Sequence, residues 1–503
     1  MLRMIQFNKS KNLNILSIFI LLFVTLFLMA NATQSFWIDE LDNTIGKIID
    51  LNIVEICRKL LEEGYNLPLY PVILAPFYKF MPYGELWLLI PSISFTVIGI
   101  IVLSIVGTSI GNREIGFIAL CVASISHILL YQCGLELRPY SVLFCFTAWV
   151  IRRYHSRRKD ESYSNIVKYG ISMLFLLYSH WFGALLIVFY FLTDIYLYMK
   201  KEIRFKCAFS YLLAGMFFLP WLIIMLLRHT TDLTQYWAAP PGLKYIYWLL
   251  RYLTGAGDIC FYLFTVGCFV ITVKSFKALL NKGSKEIYHW MHMILSGAFI
   301  VGVVYIYSRY INPSGSIFVY RYFIVLLPYV FLITAFAIYE LIYLKFGIVK
   351  RRFFLTVGII SFVFCIAAVQ NYKMCIDTVN LLRQPYRQAA EWLAADERIY
   401  MDDSIIIAHG KTWVNYYFDK RGHRIPQNAA DFDRNRLFLL YVSGGQFVDL
   451  PPKPIERLLD YDTVYLFKVP GFEISQEFIS FIEQNFIKTG ENAHLLINVY
   501  SKP

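Results

Sequence analysis

Residues 13–30 read LNILSIFILLFVTLFLMA, eighteen residues without a charged side chain, and the basic residues Arg3, Lys9 and Lys11 precede them. The hydrocarbon core of a bilayer is about 30 Å thick and takes a helix of about 20 apolar residues, so this run predicts a membrane span. Ala30-Asn31-Ala32 would also suit a signal peptidase, but the run is longer than the core of a typical signal peptide. We therefore expect a retained anchor rather than a cleaved signal.

The rest of the chain repeats this apolar character. Hydrophobic residues occupy 58% of the 503 positions and charged residues only 16%, against about 45–50% and about 25% in soluble globular domains. This composition excludes an ordinary soluble enzyme, a disordered chain and a small disulfide-bonded scaffold. Further uncharged runs cover residues 86–112, 115–135, 139–151, 169–193, 207–227, 259–273, 287–308, 322–339 and 353–372.

The stretch around His180, residues 166–199, is too long for one comfortable span and barely long enough for two. Basic residues flank both of its ends, and the positive-inside rule places both ends in the cytoplasm. We therefore predict a hairpin of two short helices with the tip Ser179-His180-Trp181-Phe182-Gly183 outside. With this hairpin, the chain is an α-helical polytopic membrane protein of about eleven transmembrane helices.

Membrane orientation explains the net charge of +12. With the N-terminus in the cytoplasm, 22 of the 47 Lys and Arg residues fall in predicted cytoplasmic segments and 10 in outer loops, and the others follow Tyr372. This asymmetry predicts a cytoplasmic N-terminus and an extracytoplasmic C-terminal region. Binding of nucleic acid is not needed to explain the basic residues.

The first predicted outer loop, residues 31–85, is unusually long. From Ile45 to Leu61, apolar side chains recur at three- and four-residue steps with charged residues on the other face, which is typical of an amphipathic helix lying in the membrane interface. A helix packed on the C-terminal domain would show the same pattern. Just before this stretch, Asp39 and Glu40 follow Trp37. Taken alone, such an acid pair is most often part of a solvated loop.

The fourth run leaves charged side chains at membrane depth. It has 13 uncharged residues between Arg138 and Arg152, about 20 Å of helix at about 1.5 Å per residue, so a crossing helix draws Glu136 and Arg138 into the outer part of the bilayer. Ionisable groups at this depth usually mark a functional site, and a Glu–Arg pair with a structural role is the alternative. Arg321 opens a later span on the same predicted side, and His180 would join it from the hairpin tip.

These side chains point to phosphate chemistry. The guanidinium fork matches phosphate oxygens, and a carboxylate can take the proton of a hydroxyl nucleophile. A lipid-linked phosphate offered to a hydroxyl acceptor would use both groups. A transporter of an anionic solute would show the same residues.

Metal binding is not indicated by the sequence. The nine cysteines form no C-x-x-C pair, and most lie in apolar runs. His289 and His292 share a helix face at the start of a span, where such a pair is more often interfacial than metal-binding. We therefore expect no metal site.

Taken together, the motifs resemble the GT-C superfamily of polyprenyl-phosphate-dependent glycosyltransferases, and within it family 39-like enzymes related to protein O-mannosyltransferases and the aminoarabinose transferases of lipid A. The matching elements come in the family's order over residues 10–345. They are Trp37-Ile38-Asp39-Glu40, Pro68-Leu69-Tyr70, Glu136-Leu137-Arg138-Pro139-Tyr140, Ser179-His180-Trp181-Phe182-Gly183, and Arg321-Tyr322 followed by Pro328.

The resemblance implies a GT-C-like fold and an enzyme that moves one sugar from a polyprenyl-phosphate donor to a hydroxyl of a lipid, glycan or protein acceptor. The reaction would take place on the outer face of a bacterial plasma membrane. Asp39 would be the general base, Glu40 would position Asp39 or the acceptor, and a single displacement would invert the anomeric carbon. Neither a metal nor another cofactor is implied. The donor phosphate would be bound by Arg138, Arg321, Lys79 and His180, and the pocket would be lined by Glu136, Tyr140, Tyr322 and Tyr70.

After Tyr372 the sequence takes on soluble character, and predicted helices alternate with predicted strands as in a small α/β domain. We therefore divide the chain into a transmembrane catalytic module, residues 1–372, and an extracytoplasmic α/β domain, residues 373–503. This domain would dock the acceptor or serve as a structural cap. Two other functions fit the sequence: a transporter or flippase of an anionic or lipid-linked solute, and a polysaccharide polymerase or ligase.

Overall fold

The computed structural model describes residues 2–36, 38–48, 51–63, 67–82, 84–228, 238–255, 258–280, 287–344, 365–378, 386–395, 404–407, 442–443, 446–447, 459, 462–467, 476–492 and 497–503. The chain groups into two units. The first unit contains Met1–Ala32, Leu51–Lys79 and Leu88–Val379, and the second contains Thr33–Asp50, Phe80–Trp87 and Asn380–Pro503. The division into domains 1–372 and 373–503 stays a prediction, because a grouping by contacts does not delimit independently folding domains.

Helices dominate the first unit, as the apolar runs predict. In chain order the helices of the whole chain are α1 (Leu2–Asn31), α2 (Ile38–Asn43), α3 (Ile53–Glu63), α4 (Leu69–Phe80), α5 (Glu85–Ile110), α6 (Arg113–Ser124), α7 (Tyr140–Lys159), α8 (Tyr163–Ser179), α9 (Trp181–Met199), α10 (Phe209–Arg228), α11 (Lys244–Leu253), α12 (Asp258–Leu280), α13 (Ile287–Ile306), α14 (Leu327–Leu344), α15 (365–378), α16 (Tyr386–Ala394) and α17 (Gln476–Asn485). Short 3-10 helices cover Ile45–Lys47, Phe205–Ala208 and Tyr320–Leu326, and π-helical segments cover Leu129–Leu135 and Tyr307–Ile311.

Seven helical segments in the described part of the chain are long and apolar enough to cross a membrane, and one bent pair raises the number to eight. The predicted spans over α7 and α8 are helical, but α7 carries too many charges and α8 is too short to meet this criterion. The predicted span over residues 353–372 lies mostly outside the described residues. The polytopic α-helical fold is therefore confirmed, and the number eleven stays a prediction. The segments are Leu13–Asn31, Glu85–Ile110, Trp181–Met199, Phe205–Leu227, Asp258–Leu280, Ile287–Ile311, Tyr320–Ile342 and the bent pair Arg113–Ser124 with Leu129–Leu135.

Two helices form where the hairpin is predicted, and His180 alone separates α8 from α9. The position of this turn on the outer side of the membrane stays a prediction. Gly183 permits this close turn. A Cβ at Gly183 would lie 2.8 Å from the Cγ atom and 2.9 Å from the carbonyl oxygen of Leu176. Any larger residue would therefore push the two helices of the hairpin apart.

The third predicted span is not one straight helix. α6 and the π-helical segment that follows it meet at an angle of 72°. At the break, the Ser126 hydroxyl accepts a hydrogen bond from the Leu129 N–H (3.3 Å), which starts the new helical turns. Gly134 lets this segment approach α1, because a Cβ there would lie 2.6 Å from a methyl group of Leu28. The continuous run of apolar residues gave no sign of this break.

The amphipathic helix of the first outer loop begins later than its periodicity indicates. Asn52 precedes α3, and its side-chain oxygen accepts hydrogen bonds from the N–H groups of Val54 and Glu55 (3.0 and 3.1 Å). The Glu55 carboxylate in turn accepts one from the Asn52 N–H (2.8 Å). This reciprocal capping box fixes the helix start, and Ile45–Lys47 form a separate 3-10 turn. α3 packs on α10, and its position in the membrane interface stays a prediction.

A buried ion pair joins the helices of the first unit. Arg157 Nη2 lies 2.5 Å from Asp194 Oδ2, and the Tyr211 hydroxyl donates to the same oxygen (2.7 Å). The Arg157 guanidinium lies 4.6 Å from the ring centre of Tyr169. The sequence placed Arg157 among the cytoplasmic charges that orient the protein, but aromatic side chains of α8 and α10 cover it, and the residue is only 1% exposed.

The strands lie in the second unit and confirm the predicted small α/β region. They are β1 (Ser404–Ile407), β2 (Val442–Ser443), β3 (Gln446–Phe447), β4 (Thr463–Phe467), β5 (Ile487–Asn492) and β6 (Ile497–Ser501). The four-stranded sheet has the order β1-β4-β6-β5, with β1 parallel to β4 and the other neighbours antiparallel, and β2 pairs with β3. The sequence did not predict β5, because this edge strand is mostly polar and exposed.

Candidate active site

The segment between the π-helix and α7 carries Glu136 and Arg138. Its backbone is extended at Glu136 (φ −96°, ψ 139°). Helix α7 begins after Pro139, whose carbonyl oxygen accepts a hydrogen bond from the Leu143 N–H (2.9 Å). Because proline disfavours a helical conformation at the residue before it, Arg138 stays outside α7. Glu136 is buried, with 2% exposure, and Arg138 is half-buried.

A hydrogen-bonded chain holds this segment from two other helices. The Tyr70 hydroxyl on α4 lies 2.7 Å from Ser92 Oγ on α5, and Ser92 Oγ donates to the Glu136 carbonyl oxygen (3.2 Å). Tyr70 is only 1% exposed. Its hydroxyl therefore ties α4 and α5 to the segment that carries Glu136, a contact that the sequence did not indicate.

His180 meets two of the predicted tyrosines. Its ring centre lies 6.0 Å from that of Tyr140 at the start of α7 and 5.3 Å from that of Tyr322 in the 3-10 helix before α14. The sequence separates these residues widely, and the hairpin tip brings the histidine between them.

The positive charges of two arginines, Arg138 and Arg321, interact electrostatically with the side chains around Tyr140. Tyr140 interacts electrostatically with Arg321 and Arg138, and also with Glu136 and Tyr322. Arg321 also acts on His180. The structure therefore brings together six of the predicted site residues, which we call the arginine cluster: Glu136, Arg138, Tyr140, His180, Arg321 and Tyr322.

His180 is neutral in this cluster at pH 7. Burial, and then the charge of Arg321, lowers the pKa of His180 from 6.5 to about 4. Its Nδ1 accepts a hydrogen bond from the Phe182 N–H (3.2 Å) and so caps α9. The proton of the neutral ring is therefore on Nε2, which makes this atom a hydrogen-bond donor.

Tyr252 on α11 also lies close enough to feel the charges of this cluster, and it is not among the residues predicted from the sequence. Burial, and then the charge of Glu136, raises the pKa of Tyr252 well above its ordinary value, and Tyr140 and Arg321 also act on this group. Its ring centre lies 5.7 Å from that of Tyr320. The sequence of α11, KYIYWLLRYL, is amphipathic, and this pattern could have indicated a buried face that includes Tyr252.

Four predicted site residues are not members of the arginine cluster: Tyr70, described above, and Lys79, Glu40 and Asp39. Lys79 is exposed in the last turn of α4. Glu40 is fully buried in α2, which belongs to the second unit. Asp39 lies on the same short helix, and its side chain is outside the described part of the structure, as is Trp37.

The described residues contain no group of three or more His, Cys, Asp or Glu side chains arranged to hold a metal ion. The polar groups of the arginine cluster are instead two guanidinium groups, one carboxyl group, one imidazole and phenols. This set suits the binding of an anion with several oxygens. The expectation of a reaction without metal stays a prediction.

Comparison with known proteins supports the fold. No protein-family model and no curated protein matches the sequence. The structure is similar to ArnT from Cupriavidus metallidurans bound to undecaprenyl phosphate, with a TM-score of 0.55, 10% identity and coverage of 97% of both chains. The apo state of ArnT gives a TM-score of 0.53, 10% identity and coverage of 98% of both chains.

An oligosaccharyltransferase from Archaeoglobus fulgidus gives a TM-score of 0.47 with 9% identity, over 80% of this chain and 63% of that chain. That likeness is too weak to support an argument. The likeness to ArnT extends over nearly the whole of both chains and includes the C-terminal region. The chain therefore has the polytopic fold of ArnT.

Proposed function

We propose that this chain is an integral membrane glycosyltransferase that moves a sugar from a polyprenyl-phosphate donor to a hydroxyl group of a lipid, glycan or protein. The observation that carries the proposal is the convergence of Arg138 and Arg321 on Tyr140, with neutral His180 beside them. The fold supports it, because the ArnT structure was obtained with undecaprenyl phosphate bound.

The arginines would bind the donor phosphate. Each guanidinium group offers paired N–H donors that match phosphate oxygens. Arg138 comes from the segment before α7 and Arg321 from the 3-10 helix before α14, so the two cations would approach the phosphate from different elements. The Nε2–H of His180 would add a neutral donor, and Lys79 is a further candidate cation.

The arginine cluster would also stabilise the leaving group. As the bond between the anomeric carbon and the phosphate oxygen breaks, its electron pair stays on the phosphate, whose negative charge increases. Guanidinium groups fixed at this place stabilise that charge without rearranging in the transition state. Because polyprenyl phosphate is a stable anion, the leaving oxygen needs no proton from a strong acid.

Asp39 would be the general base. It would take the proton of the acceptor hydroxyl while the acceptor oxygen forms the new bond to the anomeric carbon. A single displacement of this kind inverts the configuration at that carbon. Glu40 would position Asp39 or the acceptor, and Glu136, Tyr140, Tyr322, Tyr70 and Tyr252 would shape the donor site. We propose no metal and no other cofactor for this reaction.

The site would face the outer side of a bacterial plasma membrane. The excess of Lys and Arg in the segments predicted to be cytoplasmic supports a cytoplasmic N-terminus and an extracytoplasmic C-terminal region. Donor and acceptor would therefore meet at the outer membrane surface, where polyprenyl-phosphate sugars and envelope acceptors are accessible.

The test is sugar transfer by the purified protein in detergent or proteoliposomes. A panel of radiolabelled polyprenyl-phosphate sugars is supplied with lipid, glycan and protein acceptors. We expect one donor to give a labelled product and polyprenyl phosphate in equal amounts, with the anomeric configuration inverted. Transport of an anionic or lipid-linked solute without transfer would instead support a transporter or flippase. Transfer only from a diphosphate-linked donor would indicate a polymerase or ligase.

A further inference from the structure

Arg387, the second residue of α16, contacts both ends of the first predicted outer loop. Its Nη1 donates to the Thr33 carbonyl oxygen (2.9 Å) and lies 3.3 and 3.4 Å from the two carboxylate oxygens of Glu85. Its backbone N–H donates to Ser35 Oγ (3.2 Å). One residue of the C-terminal region therefore holds residues that lie more than 300 positions earlier in the sequence.

The contacts of Arg387 with Glu85 and Ser35 are partly buried, whereas its contact with the Thr33 carbonyl oxygen is exposed. The Glu85 side chain is 4% exposed and the Arg387 side chain 24% exposed, and Ser35 is buried at 2%. A charge-assisted hydrogen bond at low exposure is stronger than one at the surface. Removal of either partner would leave a charge without its counterpart in a poorly hydrated place, which is costly.

The anchored residues lead directly into the helix that carries the acid pair. Thr33 and Ser35 lie just before α2, and all of these residues belong to the second unit. α2 has only six residues, too few for a helix to be stable by itself. Its placement therefore depends on its anchors, which include the packing of Phe36 and Leu41, both fully buried, and the contacts of Thr33 and Ser35 with Arg387.

We propose that Arg387 is a positioning residue that fixes the segment carrying Asp39 and Glu40 and thereby sets the rate of sugar transfer without contacting the substrate. This gives the C-terminal region a function different from acceptor docking and from a passive cap: it orients the segment that carries the proposed general base, Asp39. The expected effect of Arg387 on the rate of sugar transfer rests on the proposed function. The claim that Arg387 holds the segment carrying Asp39 and Glu40 does not depend on that function.

The structural part is tested by hydrogen–deuterium exchange of the full-length protein, followed by mass spectrometry. In Arg387→Ala, amide exchange in peptides over residues 33–43 should be about tenfold faster than in the wild type, because the hydrogen bonds that close this segment are lost. Lys502→Ala is the matched control. It removes an exposed ion pair with Asp462 in the same unit and should leave these peptides unchanged.

A second variant keeps the test valid if Arg387→Ala does not fold. Glu85→Gln preserves the shape of the carboxyl side chain but removes its charge, and it should also speed exchange over residues 33–43, by a smaller factor. Arg387→Lys should restore slow exchange in part, since it keeps the charge but loses the guanidinium geometry. Unchanged exchange over these residues in both Arg387→Ala and Glu85→Gln would overturn the proposal.

The kinetic part separates positioning from a general structural effect. Arg387→Ala should lower kcat about 10- to 100-fold, as expected when a catalytic group is misplaced by about 1 Å, while KM for the donor stays within about twofold. If kcat/KM fell by the same factor because the donor KM rose while kcat stayed unchanged, the assignment of Arg387 as a positioning residue would be overturned. If the wild type transfers no sugar at all, the proposed function fails, whereas the exchange data still decide whether Arg387 holds the segment.

Discussion

At the scale of single residues, the charges of Arg138 and Arg321 are the most informative feature of this chain. The sequence singled out both because they stand at the outer ends of predicted spans, where ionisable groups are costly unless they serve a site. In the structure the charges of both arginines act on Tyr140, and the charge of Arg321 also acts on His180. Their effect on a bound phosphate can be measured directly.

Arg138→Ala and Arg321→Ala should each weaken binding of undecaprenyl phosphate about 10- to 100-fold, because a hydrogen bond to a charged group contributes about 1.5–3 kcal/mol. Equilibrium binding to the purified variants measures this effect. Arg309→Ala is the control, since Arg309 is an exposed arginine on the same predicted side of the membrane. Wild-type affinity in both cluster variants would remove these arginines as phosphate ligands.

His180 should make the protein sensitive to acid. Its pKa is lowered to about 4 in the folded protein, against about 6.5 in the unfolded chain, so the unfolded state binds more protons between these values. Stability therefore decreases as the pH falls from 6.5 towards 4, by up to about 1.4 kcal/mol per pH unit. Apparent Tm values at pH 5 and pH 7.5 should differ less in His180→Gln than in the wild type. An identical pH dependence in both proteins would show that His180 is not the responsible group.

At the scale of elements, the α8–α9 hairpin brings His180 into the arginine cluster, and a Cβ at Gly183 in its first turn would lie 2.8 Å from the Cγ atom of Leu176. Gly183→Ala should lower stability by about 1–3 kcal/mol, because its Cβ would overlap Leu176 and the overpacked hairpin must open. It should also reduce donor affinity by displacing His180. Apparent Tm and donor binding are the measurements.

Gly215→Ala is the matched control for this substitution. Gly215 lies within α10, and in the described part of the chain no atom beyond its sequence neighbours and the backbone of its own helix lies within 4 Å of the position of its Cβ. Alanine should be neutral or stabilise the helix by up to about 1 kcal/mol. If Gly183→Ala behaved like Gly215→Ala, the close packing of the hairpin would not matter for the site.

The elements also show what the sequence could and could not predict. The hairpin was predictable because basic residues at both ends of the run around His180 require an even number of crossings. The break after α6 was not, because Ser126 lies in a continuous apolar run. The start of α3 was set by the capping box of Asn52 and Glu55, a local signal stronger than the periodicity before it.

The candidate site was predictable to a similar extent. Arg138 and Glu136 could be found because their charge conflicts with their depth, and His180 because it interrupts an apolar run. Arg387 could not be found in this way, since a cation in a polar tail is unremarkable in sequence, and the only sequence signal for Tyr252 was the amphipathic pattern of α11. Only the folded chain shows which charges they meet.

At the scale of the whole molecule, the buried pair of Arg157 and Asp194 connects α7 with α9 and, through Tyr211, with α10. Asp194→Ala should destabilise the protein by about 3–5 kcal/mol, because the buried charge of Arg157 then lacks its partner. The double variant Arg157→Met with Asp194→Leu should recover much of this loss, since two apolar side chains can fill the same space.

The apparent Tm of each variant in detergent measures both changes in stability. Glu202→Gln serves as the control, because Glu202 pairs with Arg158 at 3.7 Å with much higher exposure, and such surface pairs contribute about 0–1 kcal/mol. A double variant that is less stable than Asp194→Ala alone would contradict this account of the pair.

Our central proposal is that a sugar leaves a phosphate bound by Arg138 and Arg321 while Asp39 takes the proton of the acceptor hydroxyl. The most direct test is a single-turnover transfer assay with the active polyprenyl-phosphate sugar, comparing the wild type with Asp39→Asn. We predict that Asp39→Asn binds the donor with wild-type affinity, keeps the wild-type Tm within a few degrees and loses at least about 99% of the transfer rate, as expected when general-base catalysis worth about 10²–10⁴-fold is removed. Transfer by Asp39→Asn at the wild-type rate would contradict the mechanism.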